Sequence, residues 1–332
     1  MQSFEISQSN MHLQSKLFLK PKGSDNVLKP AGDRANYTTL WRRPDAGTIY
    51  RNTEHVTAPT TQPLLDYCGL TEERIASLDQ PIEVLDMCCG AGVVAAHIHA
   101  MLKRLGLEKK GLVKVTCADS SEAQISHVRE RIKVEDWNDT TTVQADIARL
   151  PFESNTFDYV VVGLAIHVVA EPYVGLSELN RVLKPGGRIS CSTWAVEGWV
   201  AITREAVAEL SLPGQQPVPW PQKSLHLTRL WSPGAWDDEY FTYAMLNCAG
   251  FEKIDTKIIT KYIPFQSAEH FCTVLGAYEI AIVERYWNQE QKCKLLPKLR
   301  PTLIEYLTNK YNKKQFEMER SVVISCGTKP SA

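Results

Sequence analysis

The stretch Ile82-Glu83-Val84-Leu85-Asp86-Met87-Cys88-Cys89-Gly90-Ala91-Gly92 decides the fold: a β-rich apolar run reaches an acid, then breaks into small residues ahead of a helix-length segment. Small residues let the backbone turn sharply and lie close to a ligand, and the following helix N-terminus offers N–H groups with no partner inside the helix. Several nucleotide-binding folds use such a turn, so by itself it fixes neither ligand nor chemistry.

Downstream the same alternation continues. LVKVTCA (112–118) precedes the amphipathic SSEAQISHVRERIKV (120–134); TTVQAD (141–146) and FDYVVVGLAI (157–166) follow; a helix around EPYVGLSELNRVL (171–183) leads to RISCSTW (188–194). Five strands separated by helices predict βαβ crossovers and a parallel sheet covered on both faces. A helix near 238–249, a strand KIDTKIITKYI (253–263), a helical block at 267–312 and a last strand SVVISCGTK (321–329) complete the chain. The expected fold is therefore α/β: a doubly wound, mostly parallel seven-stranded Rossmann-like sheet with an antiparallel last strand.

Helical cap insertions are expected at 195–237 and 265–318, within a domain spanning 81–332. Residues 36–80 read as an N-terminal helical cap, with Leu64, Leu65, Cys68 and Leu70 able to share a face, and the polar residues 1–35 as a flexible leader.

Asp86, Asp119 and Asp146 sit at the C-terminal ends of the first three predicted strands, facing the crevice where open α/β sheets bind ligands. A carboxylate at Asp119 can accept from two ribose hydroxyls, and one at Asp146 from an adenine amino group, with Ile147 against the ring. Each acid has a plainer reading as a helix or turn cap.

Taken together, VLDMCCGAG (84–92), ADSSEAQI (118–125), ADIARLPFESNTFDYVVVGLAIHVV (145–169), ELNRVLKPGGRISCSTW (178–194) and LNCAGF (246–251) resemble the class I S-adenosylmethionine-dependent methyltransferases. The resemblance is strongest to the branch of menaquinone and ubiquinone C-methyltransferases and small-molecule methyltransferases. Cys88 stands where the common motif has glycine, which constrains the backbone more than glycine would.

The resemblance implies S-adenosylmethionine as cofactor, S-adenosylhomocysteine as product and no metal. It places Asp86 at the methionine end, with Cys88, Gly90 and Gly92 in the close-approach turn. Asp119 and Ser120 fall at the ribose, Gln124, Asp146 and Ile147 at the adenine, and Gly163 to His167 near the transferring methyl. Tyr50 and Arg51 are candidates to close over the cofactor carboxylate.

His167 is a candidate general base for an acceptor hydroxyl, or a histidine that merely caps or hydrogen-bonds. His55, His226 and His270 are weaker candidates. The tryptophans between Trp194 and Trp236 are either a packed cap core or a lid over an aromatic acceptor, with Trp194, Trp199 and Trp231 the candidate acceptor contacts.

Composition bounds the partners. With 37 basic and 38 acidic residues and a net charge of −1, the chain lacks the positive field that nucleic-acid binding needs. Nine cysteines, odd in number and lying mostly in apolar runs without metal-ligand spacing, read as free thiols in a reducing, cytoplasmic compartment. Neither a secretory signal nor a membrane span is expected. The expected function is methyl transfer to a small apolar or aromatic metabolite of specialised metabolism, by a monomer or homodimer. Two readings compete with it: a protein or RNA methyltransferase, and a cofactor-binding cyclase or regulatory protein that transfers no methyl.

Overall fold

The computed structural model describes residues 43–228, 232 and 234–331. The expected leader at 1–35, residues 36–42 of the expected cap, and Trp231 lie outside the described residues.

In chain order the N-terminal segment forms α1 (Ala46–Asn52), α2 (Glu54–Thr57), a 3-10 turn (Ala58–Thr60), α3 (Thr61–Tyr67) and α4 (Glu72–Ala76). Prolines punctuate the approach: Pro59 sits in the 3-10 turn and Pro63 in the first turn of α3, where a missing N–H costs nothing. The Thr71 side chain accepts from the Arg74 N–H and starts α4. Leu64, Leu65, Cys68 and Leu70 are all fully buried, as their shared spacing predicted.

There follow β1 (Ile82–Met87), α5 (Val93–Leu105), β2 (Val113–Asp119), α6 (Glu122–Val134), β3 (Thr140–Gln144), β4 (Phe157–Val162), α7 (Pro172–Val182) and β5 (Leu183–Glu197). The last third contains α8 (Gly198–Val207), α9 (Ser224–Thr228), α10 (Glu239–Cys248), β6 (Glu252–Phe265), α11 (Ala268–Tyr286), α12 (Gln289–Lys310) and β7 (Phe316–Thr328).

One seven-stranded sheet runs β3-β2-β1-β4-β5-β7-β6, with β7 antiparallel to both β5 and β6. The order reverses between β1 and β4, so a crevice opens beyond the C-terminal end of β1. Strand alternation divides the core in two: Val84, Val115 and Val161 face one side with Ile98 and Leu64, while Leu85, Val160 and Ile189 face the other with Leu179 and Phe251.

A third cluster joins α8, α11 and α12, where Phe271, Leu275, Leu299 and Leu303 pack against Trp199 and Val207. The strands carry this cluster. β5 continues past the expected Trp194 to Glu197, and β7 starts at Phe316, five residues before the expected Ser321, because Phe316 pairs with Phe265 and stacks on it at 5.7 Å. Pairing thus extends the sheet under the cap helices.

Candidate active site

The turn after β1 is held in a left-handed conformation at three places: Cys88 (φ 57°), Gly90 (φ 53°) and Gly92 (φ 84°). At Gly92 an added Cβ would also meet Val128 and Trp137 at 3.3–3.4 Å, so this glycine serves helix-to-sheet packing. Asp119 ties the turn to the neighbouring strand: its Oδ2 accepts from the Gly90 N–H at 3.0 Å and its Oδ1 from the Ser121 N–H at 2.9 Å. Arg131 clamps the other side, donating to the Ala91 carbonyl at 2.6 Å and to Glu54 of α2 at 2.5 Å, with its guanidinium 4.7 Å from the Trp137 ring centroid.

Beyond this turn lies a cavity of about 270 Å³ at the strand ends, roofed by α1 to α3 and α11. Its outer part is lined by Cys88, Gly90, Asp119, Ser120, Gln124, Asp146 and Ile147. Asp146 bends its own loop by accepting from the Ala148 N–H at 3.0 Å. Gln124 is 1% exposed, and among the described residues neither polar atom of its carboxamide has a hydrogen-bond partner. A buried amide left unsatisfied costs about 1–3 kcal/mol, so its place on a cavity wall is that of a group awaiting a polar ligand. That donor-acceptor amide, two carboxylates and a glycine turn open to close approach fit an adenosine with its ribose hydroxyls.

The inner part is lined by Leu64, Leu164, Val168, Trp194, Tyr278 and Arg320, with hydroxyls from Thr53, Thr57, Thr60, Thr61 and Ser192. Leu164 holds φ at 54°, unusual for a bulky side chain, with its N–H on Ser192 Oγ at 3.0 Å. Tyr50 bridges the two parts, its edge lying where a Cβ on Gly90 would be 3.6 Å away, and burial pushes its hydroxyl well above the ordinary tyrosine range.

Several expected contacts lie elsewhere. Asp86 is 1% exposed and off the cavity wall; its carboxylate accepts from the Ala95 N–H at 3.3 Å, in the first turn of α5, the plainer capping role. Desolvation, with Asp119 adding repulsion, pushes it up to about 7. Arg51 turns to the exterior, paired with Glu54 at 3.1 Å and Glu135 at 3.3 Å, where solvated carboxylates hold it away from the cavity.

His167 is fully buried behind Trp194, ring centroids 4.6 Å apart, and does not line the cavity. Burial, reinforced by the positive charge of Arg320, lowers its pKa to about 3, which leaves it a poor proton acceptor near neutrality. His55, 2.6 Å from the Pro264 carbonyl, and His270 lie against each other with tilted rings 4.9 Å apart, away from the wall, as does His226.

Among the described tryptophans only Trp194 reaches the cavity. Trp199 donates to Glu197 at 3.0 Å, Trp220 to Thr203 at 3.0 Å, and Trp236 to Ser232 at 3.2 Å. Each buried indole N–H finds an internal acceptor, so these three form packed core. Tyr278, Arg320 and the threonine group escaped the sequence reading; the only available signal was the opposite charge of Glu197 and Arg320 flanking two apolar strands.

A family model described as a methyltransferase domain matches residues 85–191. Over 267 residues the chain is 28% identical to the methyltransferase tpcH of Aspergillus fumigatus, covering 79% of this chain and 90% of that one. It is 26% identical over 282 residues to the acetylaranotin bis-thiomethyltransferase of Aspergillus terreus, covering 85% and 93%. A demethylmenaquinone methyltransferase of Staphylococcus haemolyticus is 39% identical over 109 residues, but that spans only 33% of this chain and 42% of the other. These matches support a class I S-adenosylmethionine-dependent methyltransferase. The match to that demethylmenaquinone methyltransferase covers a third of this chain, whereas the two Aspergillus enzymes match over most of it.

Among the described residues no cluster of side chains could hold a metal ion, and no helix is long and apolar enough to cross a membrane.

Proposed function

We propose that the cavity binds S-adenosylmethionine in its outer part and a small apolar or aromatic acceptor in its inner part. The observation that carries this reading is the difference between the two ends of one cavity, two carboxylates and an unpartnered amide at one and aliphatic and aromatic side chains, with several hydroxyls and Arg320, at the other. Specific small-molecule sites combine an apolar enclosure with a few fixed polar groups.

In this reading Asp119 holds the ribose, Gln124, Asp146 and Ile147 the adenine, and Gly90 and Gly163 let the chain approach the methionine portion. The cofactor supplies a methyl carbon already activated by its positively charged sulfur. The residues 195–237 and 265–318, with the N-terminal helices, form the cap that excludes water and positions the acceptor behind that carbon. His167 takes no part as a base. The acetylaranotin bis-thiomethyltransferase of Aspergillus terreus, which matches along most of its length and is named for a small molecule, supports a metabolite acceptor.

Calorimetric titration with S-adenosylhomocysteine tests the outer part. Asp119→Ala should weaken binding by about 100-fold or more, since the ribose loses a charged acceptor and the Gly90 and Ser121 N–H groups lose theirs. Failure of the wild type to bind would sink the assignment.

A further inference from the structure

The inner wall holds a buried cation, Arg320, that is not among the residues assigned to the cofactor. Antiparallel pairing sets Glu197 of β5 directly across from Arg320 of β7. Both are buried, at 4% and 1% exposure, with Arg320 Nε 2.8 Å from Glu197 Oε1. Nη1 of Arg320 donates to the Val56 carbonyl of α2. Glu197 is otherwise occupied, its Oε2 accepting from Trp199 Nε1 at 3.0 Å. Arg320 nonetheless lines the cavity, and among the described residues nothing accepts a hydrogen bond from its Nη2.

Withdrawing an ion pair from water costs several kcal/mol per ion, and an acceptor site needing only apolar contact would be better lined with aliphatic residues. The surroundings leave the cation undercompensated. Burial raises the pKa of Glu197, its carboxylate partner among the described residues, against the lowering pull of Arg320 and of the Trp199 hydrogen bond. Three further titratable groups near this end, His167 from the loop after β4, Tyr278 from α11 and Tyr50 from α1, are neutral near pH 7: burial, with Arg320 itself, lowers the first, and burial raises the other two; Glu54 of α2, which also lines the cavity, is paired with Arg131 at 2.5 Å.

We propose that Arg320 anchors the acceptor, and that the acceptor binds as the anion of an aromatic or apolar molecule bearing an acidic chalcogen, a thiol or a phenol. This rests on the preceding assignment of the cavity to methyl transfer. The acceptor's proton goes to solvent as it binds. A lone pair on the thiolate or phenolate then forms the bond to the methyl carbon, the bond from that carbon to the sulfonium breaks, and its electron pair stays on the departing sulfur. An anion and a cation thus become two neutral products, with no protein base required. Stabilising the anion aids the reaction on balance, because thiolate nucleophilicity falls less steeply than thiol pKa. The wall fits the remainder of such a molecule, with Trp194 and Tyr278 set edge to face at 6.2 Å beside Val168.

The test uses the full-length protein saturated with S-adenosylhomocysteine, titrated with 4-nitrophenol and separately with 4-nitrothiophenol, whose anions absorb visible light. The wild-type complex should bind at least one probe with its apparent pKa lowered by about one unit or more, and the probe with the larger shift identifies the chalcogen. Arg320→Gln should weaken anion binding about 10-fold or more and abolish the shift, while Arg320→Lys restores part of it. Glu197→Gln should deepen the shift, because the cation then faces no carboxylate. An unchanged shift in Arg320→Gln that still binds S-adenosylhomocysteine would overturn the proposal, as would a wild-type complex that binds neither anion. If Arg320→Gln does not fold, Glu197→Gln decides: a shift equal to or smaller than wild type refutes the anchor. Loss of S-adenosylhomocysteine binding by the wild type would instead defeat the cavity assignment itself.

Discussion

The two ends of the cavity are built by opposite means. At the outer end, polar groups are fixed over short sequence distances or between adjacent parallel strands: Asp146 holds the Ala148 N–H two residues on, and Asp119 holds Ser121 and the neighbouring Gly90 turn. At the inner end the contacts are remote, with Arg320 reaching Val56 across 264 residues and Glu197 across the β5–β7 ladder. The outer end keeps a buried amide without a partner among the described residues, whereas at the inner end His167 and Glu197 lie behind the wall and Tyr278 and Arg320 face the cavity. Cofactor recognition can therefore be shared by many chains through a local motif, while acceptor recognition depends on the particular way this cap closes.

The largest effect that would break this contrast is an acid-induced loss of stability arising at the inner end. His167 has a folded pKa near 3, below its unfolded value near 6.5, so its contribution is present above pH 6.5 and is lost as pH falls toward 3. His99, stacked on Trp137 and lowered to about 4 mainly by burial, adds to the same slope between pH 6.5 and 4. In chemical denaturation, His167→Leu should reduce the slope of stability against pH in that window by up to about 1.4 kcal/mol per pH unit. At pH 8 it should be neutral or stabilising, since both buried ring nitrogens of His167 lack partners among the described residues. An unaltered slope would mean that His167 is solvated and the inner end open to water.

At the outer end the expected effect is smaller, with binding and stability moving in opposite directions. Gln124→Met keeps the side-chain volume but removes the unsatisfied amide, so the ligand-free protein should gain about 0.5–1 kcal/mol. Affinity for S-adenosylhomocysteine should fall about 10-fold, equivalent to ~1.4 kcal/mol, as one or two hydrogen bonds to the adenine are lost. Thermal denaturation and calorimetry on the same samples check both signs. A loss of stability in the ligand-free variant would show that the amide is already paired.

The same difference explains what could be read from residues alone. Strand ends, the glycine turn, Asp119, Ser120, Gln124, Asp146 and Ile147 all carry local signals, and the structure brings them to one wall. Asp86 and Gly92 share the motif but act one layer behind, capping and packing α5, because a motif does not distinguish ligand contact from support for the turn. Tyr278, Arg320 and the threonines converge only through tertiary pairing, which no spacing encodes. The tryptophan-rich segment left two readings open for a related reason: composition supplies aromatic rings, but the positions of Thr203, Ser232 and Glu197 decide that the indoles of Trp220, Trp236 and Trp199 turn inward, while Trp194 faces the cavity. Leu164 gives no warning of its positive φ, since leucine is not a residue that favours it.

The finest distinction concerns Cys88, where the chain departs from the common glycine of its motif. The backbone there is left-handed, φ 57°, so the position demands what glycine supplies and a β-carbon resists by roughly 1–2 kcal/mol. Cys88→Gly relieves that strain but gives the unfolded chain more freedom, which offsets about 0.5–1 kcal/mol. The net expectation is a stabilisation of about 0.5–1 kcal/mol in chemical denaturation, with S-adenosylhomocysteine affinity within about twofold of wild type because the turn keeps its path. If affinity instead falls by tenfold or more, the Cys88 side chain itself contacts the ligand, and recognition at the outer end depends on a side chain where the motif provides only backbone.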